Sequence, residues 1–315
     1  KDTTSEQREE ILISIVQEVR DALDAKGKKA GRYLYLSVRI PAYPEVYSRY
    51  GINLEKLAAV PVDIVNASGH YFTDMQMKIA EMRAALPEHV AVYEELQFTN
   101  AIGAPVKDDK GKIISWPARR VTDLQQATAA YLAYKRGADG LSAFNYHYYR
   151  GTYSQSDVAG TPHEPPFKLF NQLTDMAWLE KQPQHYVAAF IWNTPGIETR
   201  PFQKAIKKGE NTQIQMDMTP PKGGWTKDGK LRIQGRESLG KTKWRARVNE
   251  QELAPAKDVK DIFPNPYDVA LGQPEDYRAW VVPAAILKDG VNKVDLYLES
   301  GADEAHIFYM DIELP

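Results

Sequence analysis

Apolar positions along the first 180 residues alternate between two periodicities. From Ser5 to Lys26 the apolar residues Ile11, Ile13, Ile15, Val16, Val19 and Leu23 fall near helical spacing, with Thr4 or Ser5 as N-cap. The run "RYLYLSVRI" follows and is rich in strand formers. The same alternation then repeats. A helix around Leu54–Val60 precedes the strand "VDIVNAS", and the helix "DMQMKIAEMRAAL", starting at Thr73 or Asp74, precedes the strand "HVAVYEEL". The helix "TDLQQATAAYLAYKRG", capped by Thr122 or Asp123 and stopped at Gly137, precedes the strand "GLSAFNY". A last helix, "FKLFNQLTDMAWLEK", ends before Pro183. Strands alternating with helices predict a parallel sheet, with right-handed crossovers placing all strand C-termini on one side.

After Gln182-Pro183 the helical spacing stops. Seven short β-prone segments follow: "HYVAAFIW", "NTQIQMDM", "KLRIQGRE", "WRARVNEQEL", "YRAWVVP", "NKVDLYLES" and "AHIFYMDIEL". Gly, Pro, Asn and Asp separate them, which predicts an antiparallel sandwich or jelly roll. The expected division is residues 1–182 as a partial (β/α) barrel and 183–315 as a β-sandwich. Four strands are half of what a closed barrel of roughly 250 residues needs. The αβ part is therefore expected to be a small open sheet or the C-terminal half of a barrel. In the latter case a second chain or an N-terminal segment completes it.

Composition narrows the chemistry. Hydrophobic content of 43% and charged content of 26% are those of a globular chain. A net charge of −2 gives no electrostatic case for a nucleic-acid partner. No apolar run is long enough to span a membrane. The absence of cysteine excludes disulfides, thiolate catalysis and Cys-ligated zinc. No His/Asp/Glu grouping has metal-ligand spacing, and neither "GKKAG" nor "KGEN" has phosphate-loop context, so no metal or other cofactor is expected. Ser68 in "NASGH" lacks the elbow of a serine hydrolase. The 18 Tyr and 6 Trp, against 9 Phe, suit either β-strands or the faces of sugars.

Glu94 and Glu95 end the third predicted strand, and alternation sends them to opposite faces. Arg39 ends the first, where a guanidinium can clamp a hydroxyl or a carboxylate. His70 and Asp74 follow the second; Asp74 serves equally as helix cap or as acid-base group. Asn145 and His147 share one face of the fourth strand's end, and Tyr146 and Tyr148 the other.

The stretches "YLSVRIP", "GINLEKLAAVPVDIVNASGHYFTD", "YEELQ" and "YLAYKRGADGLSAFNYHYY" resemble, in the same order, bacterial TIM-barrel glycoside hydrolases loosely similar to the xylanase-like families. They correspond to the last four barrel strands. "ARVNEQEL" and "AWVVPAAILKDGVNKVDLYL" resemble a galactose-binding-like jelly roll. The resemblance implies a glycoside hydrolase acting on a poly- or oligosaccharide, in a secreted, periplasmic or cell-surface bacterial protein. It implies Glu95 as the catalytic carboxylate, with Asp74 as a second catalytic candidate. Arg39, His70, Glu94, Asn145, His147 and Tyr148 are the implied sugar contacts. The first four barrel strands, one of which carries the usual acid, have no counterpart in the chain. The competing expectation is a non-catalytic carbohydrate-binding or structural protein with a degenerate half barrel.

Overall fold

The computed structural model describes residues 3–69, 75–101, 106–110, 113–115, 118–146, 164–189, 202, 205–263 and 273–315. Helix α1 spans Ser5–Ala30 and starts at Thr4. There the Gln7 N–H donates to Thr4 Oγ1 at 3.2 Å, and the Thr4 N–H donates back to Gln7 Oε1 at 2.9 Å. This reciprocal box satisfies two N-terminal donors at once. Gly31 ends the helix at φ 63°, a left-handed position that suits glycine. Arg20, on the inner side of α1, is 1% exposed. Its guanidinium pairs with Asp24 and Asp63 and donates to the Leu34 carbonyl at 2.9 Å. The Asp63 carboxylate also accepts from Tyr33 Oη–H and the Leu36 N–H. One buried arginine thus fixes the helix to the entry of the sheet.

The sheet has four parallel strands: β1 (Ser37–Pro41), β2 (Ile64–Ser68), β3 (Ala91–Leu96) and β8 (Gly140–Ala143), in the spatial order β1-β2-β3-β8. Between β3 and β8 lie two small antiparallel ladders: β4 (Thr99–Ala101) with β7 (Ala118–Arg120), and β5 (Val106–Lys107) with β6 (Ile113–Ser115). Helices follow as α2 (Tyr47–Tyr50), α3 (Leu54–Ala59), α4 (Ile79–Ala85) and α5 (Asp123–Lys135). Ile40, Val65, Ala67 and Val92 point to the helical side and are buried with Leu57, Ile79, Met82 and Ala133. Burial of this kind supplies most of the driving force. The opposite side of the sheet is different. Arg39 is exposed there, and Asn66, Tyr93 and Ser142 are only half-buried. Gly140 is required beside Tyr93, because an added Cβ would lie 2.6 Å from the ring.

Several helix boundaries differ from the sequence reading. The third predicted helix starts at Ile79 rather than at residue 73 or 74, and Thr73 and Asp74 lie outside the described residues. The last predicted helix is two single turns, α6 (Phe167–Phe170) and α7 (Met176–Leu179), because the Asp175 carboxylate caps a fresh start by accepting from the Trp178 N–H. The outward positions of α1 also depart from the pattern: Val16 is buried, while Ile11, Ile15 and Val19 are exposed.

The antiparallel part begins with β9 (Gln184–Ala189). After β10 (Ile206–Lys207) come β11 (Asn211–Met218), β12 (Gly229–Gly235), β13 (Lys243–Val248), β14 (Gln251–Glu252), β15 (Tyr277–Val282), β16 (Gly290–Ser300), β17 (Glu304–Ala305) and β18 (Ile307–Leu314). They form two four-stranded sheets, β11-β16-β13-β14 and β15-β12-β18-β9, and a short β10-β17 ladder. Ile214, Met216, Leu231, Ile233, Leu296 and Ile312 belong to one buried cluster drawn from both four-stranded sheets. The second sheet packs its other face on α5. Arg136, at the end of α5, donates to both Asp217 oxygens at 2.8 and 2.6 Å, to the Met218 carbonyl and to Asp289. No helix among the described residues is long and apolar enough to cross a membrane.

Candidate functional site

The C-terminal ends of the parallel strands carry a polar cluster on the open side of the sheet. Register explains its membership. Arg39 lies opposite Asn66, and the next row on that side is Pro41, Ser68, Glu95 and Ser142. Glu95 is 4% exposed, and both of its oxygens are engaged. Arg39 Nε donates to Oε2 at 2.6 Å and Arg39 Nη2 to Oε1 at 2.7 Å, a two-pronged pair. Ser68 Oγ donates to Oε1 at 2.8 Å while accepting from Arg39 Nη2 at 2.7 Å. Gln97 Nε2 donates to Oε1 at 2.9 Å and Asn66 Nδ2 to Oε2 at 3.4 Å. Ser142 Oγ donates to Asn66 Oδ1 at 2.8 Å, which fixes the orientation of that amide. The Arg39 guanidinium carbon lies 4.8 Å from the centre of the Phe144 ring.

This arrangement holds a carboxylate in one orientation through four neighbouring side chains. Arg39 is 48% exposed at its side chain and Glu95 5%, so the pair reaches solvent through the arginine. Chemically, such a carboxylate can orient a polar ligand or face a positively charged reacting carbon.

Glu94 occupies the opposite side of β3. It is buried, and lines a small internal space with Met77, Gln126 and Ala129 between the strand and α5. Asn145 sits just beyond β8 at φ 48°. The strand ends at Ala143, so the expected alternation of Asn145 and His147 against Tyr146 and Tyr148 does not extend to Asn145, which lies in a bend, or to Tyr146, which is in 3-10 conformation. His70, Asp74, His147 and Tyr148 lie outside the described residues. The structure therefore brings Arg39 and Glu95 together and adds Ser68, Asn66, Gln97 and Ser142. The signal for the added residues was alternation: Asn66 and Ser68 share a face of β2, and that face continues to Glu95.

A second polar cluster lies between α5 and the β15-β12-β18-β9 sheet. His185, Arg232, Asp311 and Glu313 are each no more than 3% exposed. His185 Nε2 is 2.9 Å from Asp311 Oδ2 and 3.7 Å from Glu313 Oε1. Arg232 Nε donates to Asp311 Oδ1 at 3.0 Å, and Arg232 Nη2 contacts Asp311, Glu313 and Asp261. Tyr309 Oη–H donates to Asp311 Oδ2 at 3.2 Å and accepts from Gln125 Nε2 at 3.0 Å. Burial, and then the negative charge of Asp311, push Glu313 up to about 8. Burial alone would raise Asp311 too, but the Arg232 and His185 charges overcome it and hold that carboxyl below the usual range. His185, Asp311 and Glu313 offer ligand atoms within 4.8 Å of one another, the geometry a metal ion needs. Arg232 already places a cation against both carboxylates, so the group fits a charge-balanced packing cluster better than a metal centre.

No protein-family model matches the chain. No curated protein matches it either. Among solved structures, a family GH18 chitinase from Chromobacterium violaceum aligns over 95% of this chain and 64% of its own, with 10% identity and a TM-score of 0.37. A β-porphyranase of glycoside hydrolase family 86 from Bacteroides plebeius aligns over 42% of this chain and 21% of its own, with 12% identity and a TM-score of 0.26. The chain spans less than two thirds of the length of either neighbour.

Proposed function

We propose that the chain is the carboxylate-bearing part of a glycoside hydrolase, with Glu95 as catalytic carboxylate and the parallel sheet as half of a (β/α)8 barrel. The observation that carries this reading is the placement of Glu95. It stands at the C-terminal end of a parallel strand, on the open face of the sheet, with both oxygens oriented by Arg39, Ser68 and Gln97. The C-terminal ends of parallel strands are where such barrels carry their chemistry. A retaining mechanism uses one carboxylate as nucleophile at the anomeric carbon and a second as acid and then base. Glu95 is the proposed nucleophile. Asp74, or a carboxylate from outside Lys1–Pro315, is the proposed acid. Arg39 and Asn66 are the proposed contacts to sugar hydroxyls, with His70, Asn145, His147 and Tyr148 as the further contacts implied by the resemblance; Glu94, buried on the opposite side of β3, is not among them. Export to the periplasm or cell surface belongs to the same proposal.

The test is Glu95→Gln on a glycan that the wild-type protein is first shown to cleave. Gln is nearly the same shape and keeps an amide oxygen for the Arg39 and Ser68 donors. The expected result is a loss of turnover of about a thousandfold or more with glycan affinity largely retained, because a nucleophile stabilises the transition state. Wild-type turnover by Glu95→Gln would end the catalytic assignment. Binding without cleavage by the wild type across a glycan panel would favour the non-catalytic carbohydrate-binding alternative.

A further inference from the structure

We propose that the groove at the C-terminal end of α1 is a second, non-catalytic saccharide site, one that takes an anionic sugar unit carrying a carboxylate or a sulfate ester. The saccharide part of this inference rests on the glycan reading above; the position and charge of the site do not.

The groove holds about 350 Å³, and Asp24, Lys28, Arg32, Tyr33 and Leu34 are among its walls. That volume is at the lower end for small-molecule sites, with room for roughly one or two sugar rings. Its last wall residue, Leu34, precedes β1, and so it opens at the N-terminal ends of the parallel strands. Glu95 stands at their C-terminal ends. The two places are at opposite ends of one sheet. Gly27 shapes the groove: an added Cβ would lie 2.6 Å from the Arg32 carbonyl oxygen. The chain can therefore return against the last turn of α1 and bring Arg32 and Tyr33 beside Lys28.

Two observations identify the occupant. First, the aromatic wall is exposed yet held. Tyr33 is 54% exposed and Tyr35 73%. Tyr33 Oη–H donates to Asp63 Oδ1 at 2.8 Å, and the Arg20 guanidinium carbon lies 5.0 Å from the ring centre. The Tyr35 ring stands edge-to-face with it, the centres 5.2 Å apart and the planes at 82°. A ring anchored in this way loses little freedom on binding, and two planes near a right angle make a corner that the apolar face of a sugar can enter. Second, the cations around the groove are uncommitted. Lys26, Lys28, Lys29 and Arg32 belong to the run "KGKKAGR" and are exposed. None of them makes an ion pair or a side-chain hydrogen bond among the described residues. Lysines in a last helical turn ordinarily complement the helix dipole, but that dipole amounts to roughly half a charge, which this group exceeds. The neighbouring acids Asp24 and Asp63 both pair with the buried Arg20. The whole chain carries −2, so the positive excess is local. An anionic sugar uses both features. The planar Arg32 guanidinium can grip a carboxylate or sulfate through two parallel hydrogen bonds, and Lys28 adds a point charge. A neutral sugar would leave the cations unused, and a bare phosphate would leave the tyrosines unused.

The probes are trigalacturonate, a sulfated galactan oligosaccharide of similar length and neutral galactotriose, each titrated calorimetrically into Lys1–Pro315. An anionic probe is expected to bind about tenfold or more tighter than galactotriose, with an advantage that shrinks as salt is raised. Which anionic probe binds tighter identifies the anion. The double substitution Lys28→Ala, Arg32→Ala is expected to weaken that probe about tenfold or more, and Tyr35→Ala about threefold. All three side chains are exposed, so the melting temperature is expected to hold and the loss to report binding. Glu95→Gln is expected to bind the probe as the wild type does. Equal affinity for charged and neutral probes, or no binding of either anionic probe, overturns the proposal. Wild-type affinity in the double variant overturns it as well. A loss confined to Glu95→Gln and Arg39→Met overturns it by moving the anion to the Glu95 cluster. An oligothymidylate that binds as tightly as the sugars overturns the saccharide assignment. Cleavage of a neutral glycan by a protein that ignores both anionic probes would end this proposal and leave the Glu95 assignment standing, so the two fail separately.

Discussion

At the scale of single residues, the site is organised by how one carboxylate is held. Arg39 supplies two of the donors to Glu95, and Ser68 bridges the two side chains. Arg39→Met should remove the charge-assisted pair and leave the buried oxygens with Ser68, Gln97 and Asn66. The expected cost is about 1–3 kcal/mol in urea unfolding, at the lower end because the arginine is half in water. Ser68→Ala should cost less, about 1 kcal/mol, and should couple to Arg39→Met in a double-mutant cycle because both act on Oε1. Additive effects would show that the serine is not part of the clamp. Arg39 and Glu95 were legible in the sequence as strand-terminal charges. Ser68 was considered only as a nucleophile, and its part in orienting Glu95 is visible only once register aligns β2 with β3. Asn145 and Tyr146 were misread because strand alternation was extended past Ala143, where the strand ends and Asn145 takes a positive φ.

At the scale of elements, the parallel strands and the long helices were legible because pattern, cap and stop signals agreed. Helix α5 is the clearest case. Thr122 and Gln125 form a reciprocal box at its start, and Gly137 takes φ 93° just beyond its end. Thr122→Ala should lower stability by about 1 kcal/mol, read as a shift in the urea midpoint at constant slope. No shift would mean that packing of Ala129, Ala130 and Ala133 fixes the helix start without the cap. Shorter elements were lost where local signals conflicted. Asp175 reads as an interior polar residue of a long helix but acts as a cap between two turns. The β4-β7 and β5-β6 ladders are two or three residues per strand, too short to show alternation. Helix α1 was read from apolar residues near helical spacing. Periodicity gives the direction of a ridge but not whether a neighbour covers it, and Ile11, Ile15 and Val19 lie on the uncovered side.

At the scale of the whole molecule, the αβ and antiparallel parts meet through charge as well as apolar packing. Strand β18 alternates Tyr309, Asp311 and Glu313 with Met310 and Ile312, which reads as one wet face and one core face. Both faces are buried: α5 reaches the polar one at Tyr309 and the neighbouring His185 with Gln125 and Thr128, and the segment at Asp261–Ile262 meets Arg232 and Glu313. The sequence carries the alternation but not the covering helix, so the cluster of His185, Arg232, Asp311 and Glu313 was not anticipated. Its two carboxyls pull stability in opposite directions with pH. Glu313 is raised to about 8 in the folded chain, above its ordinary value near 4.5. Its contribution is fully present below that ordinary value and is lost as pH rises through about 8. Asp311 is lowered, so its contribution is present above its ordinary value of 3.8 and is lost as pH falls toward the depressed folded value. Between about pH 5 and 9 the Glu313 effect dominates, and wild-type stability should decline across that range. Glu313→Gln removes the titrating proton while keeping one oxygen, which can accept from Arg232 or from the Ile262 N–H but not from both. The variant's melting temperature should therefore be flatter than wild type from pH 5 to 9, measured at constant ionic strength. Parallel curves for the two proteins would show that Glu313 does not titrate in this range and that another group sets the alkaline limit.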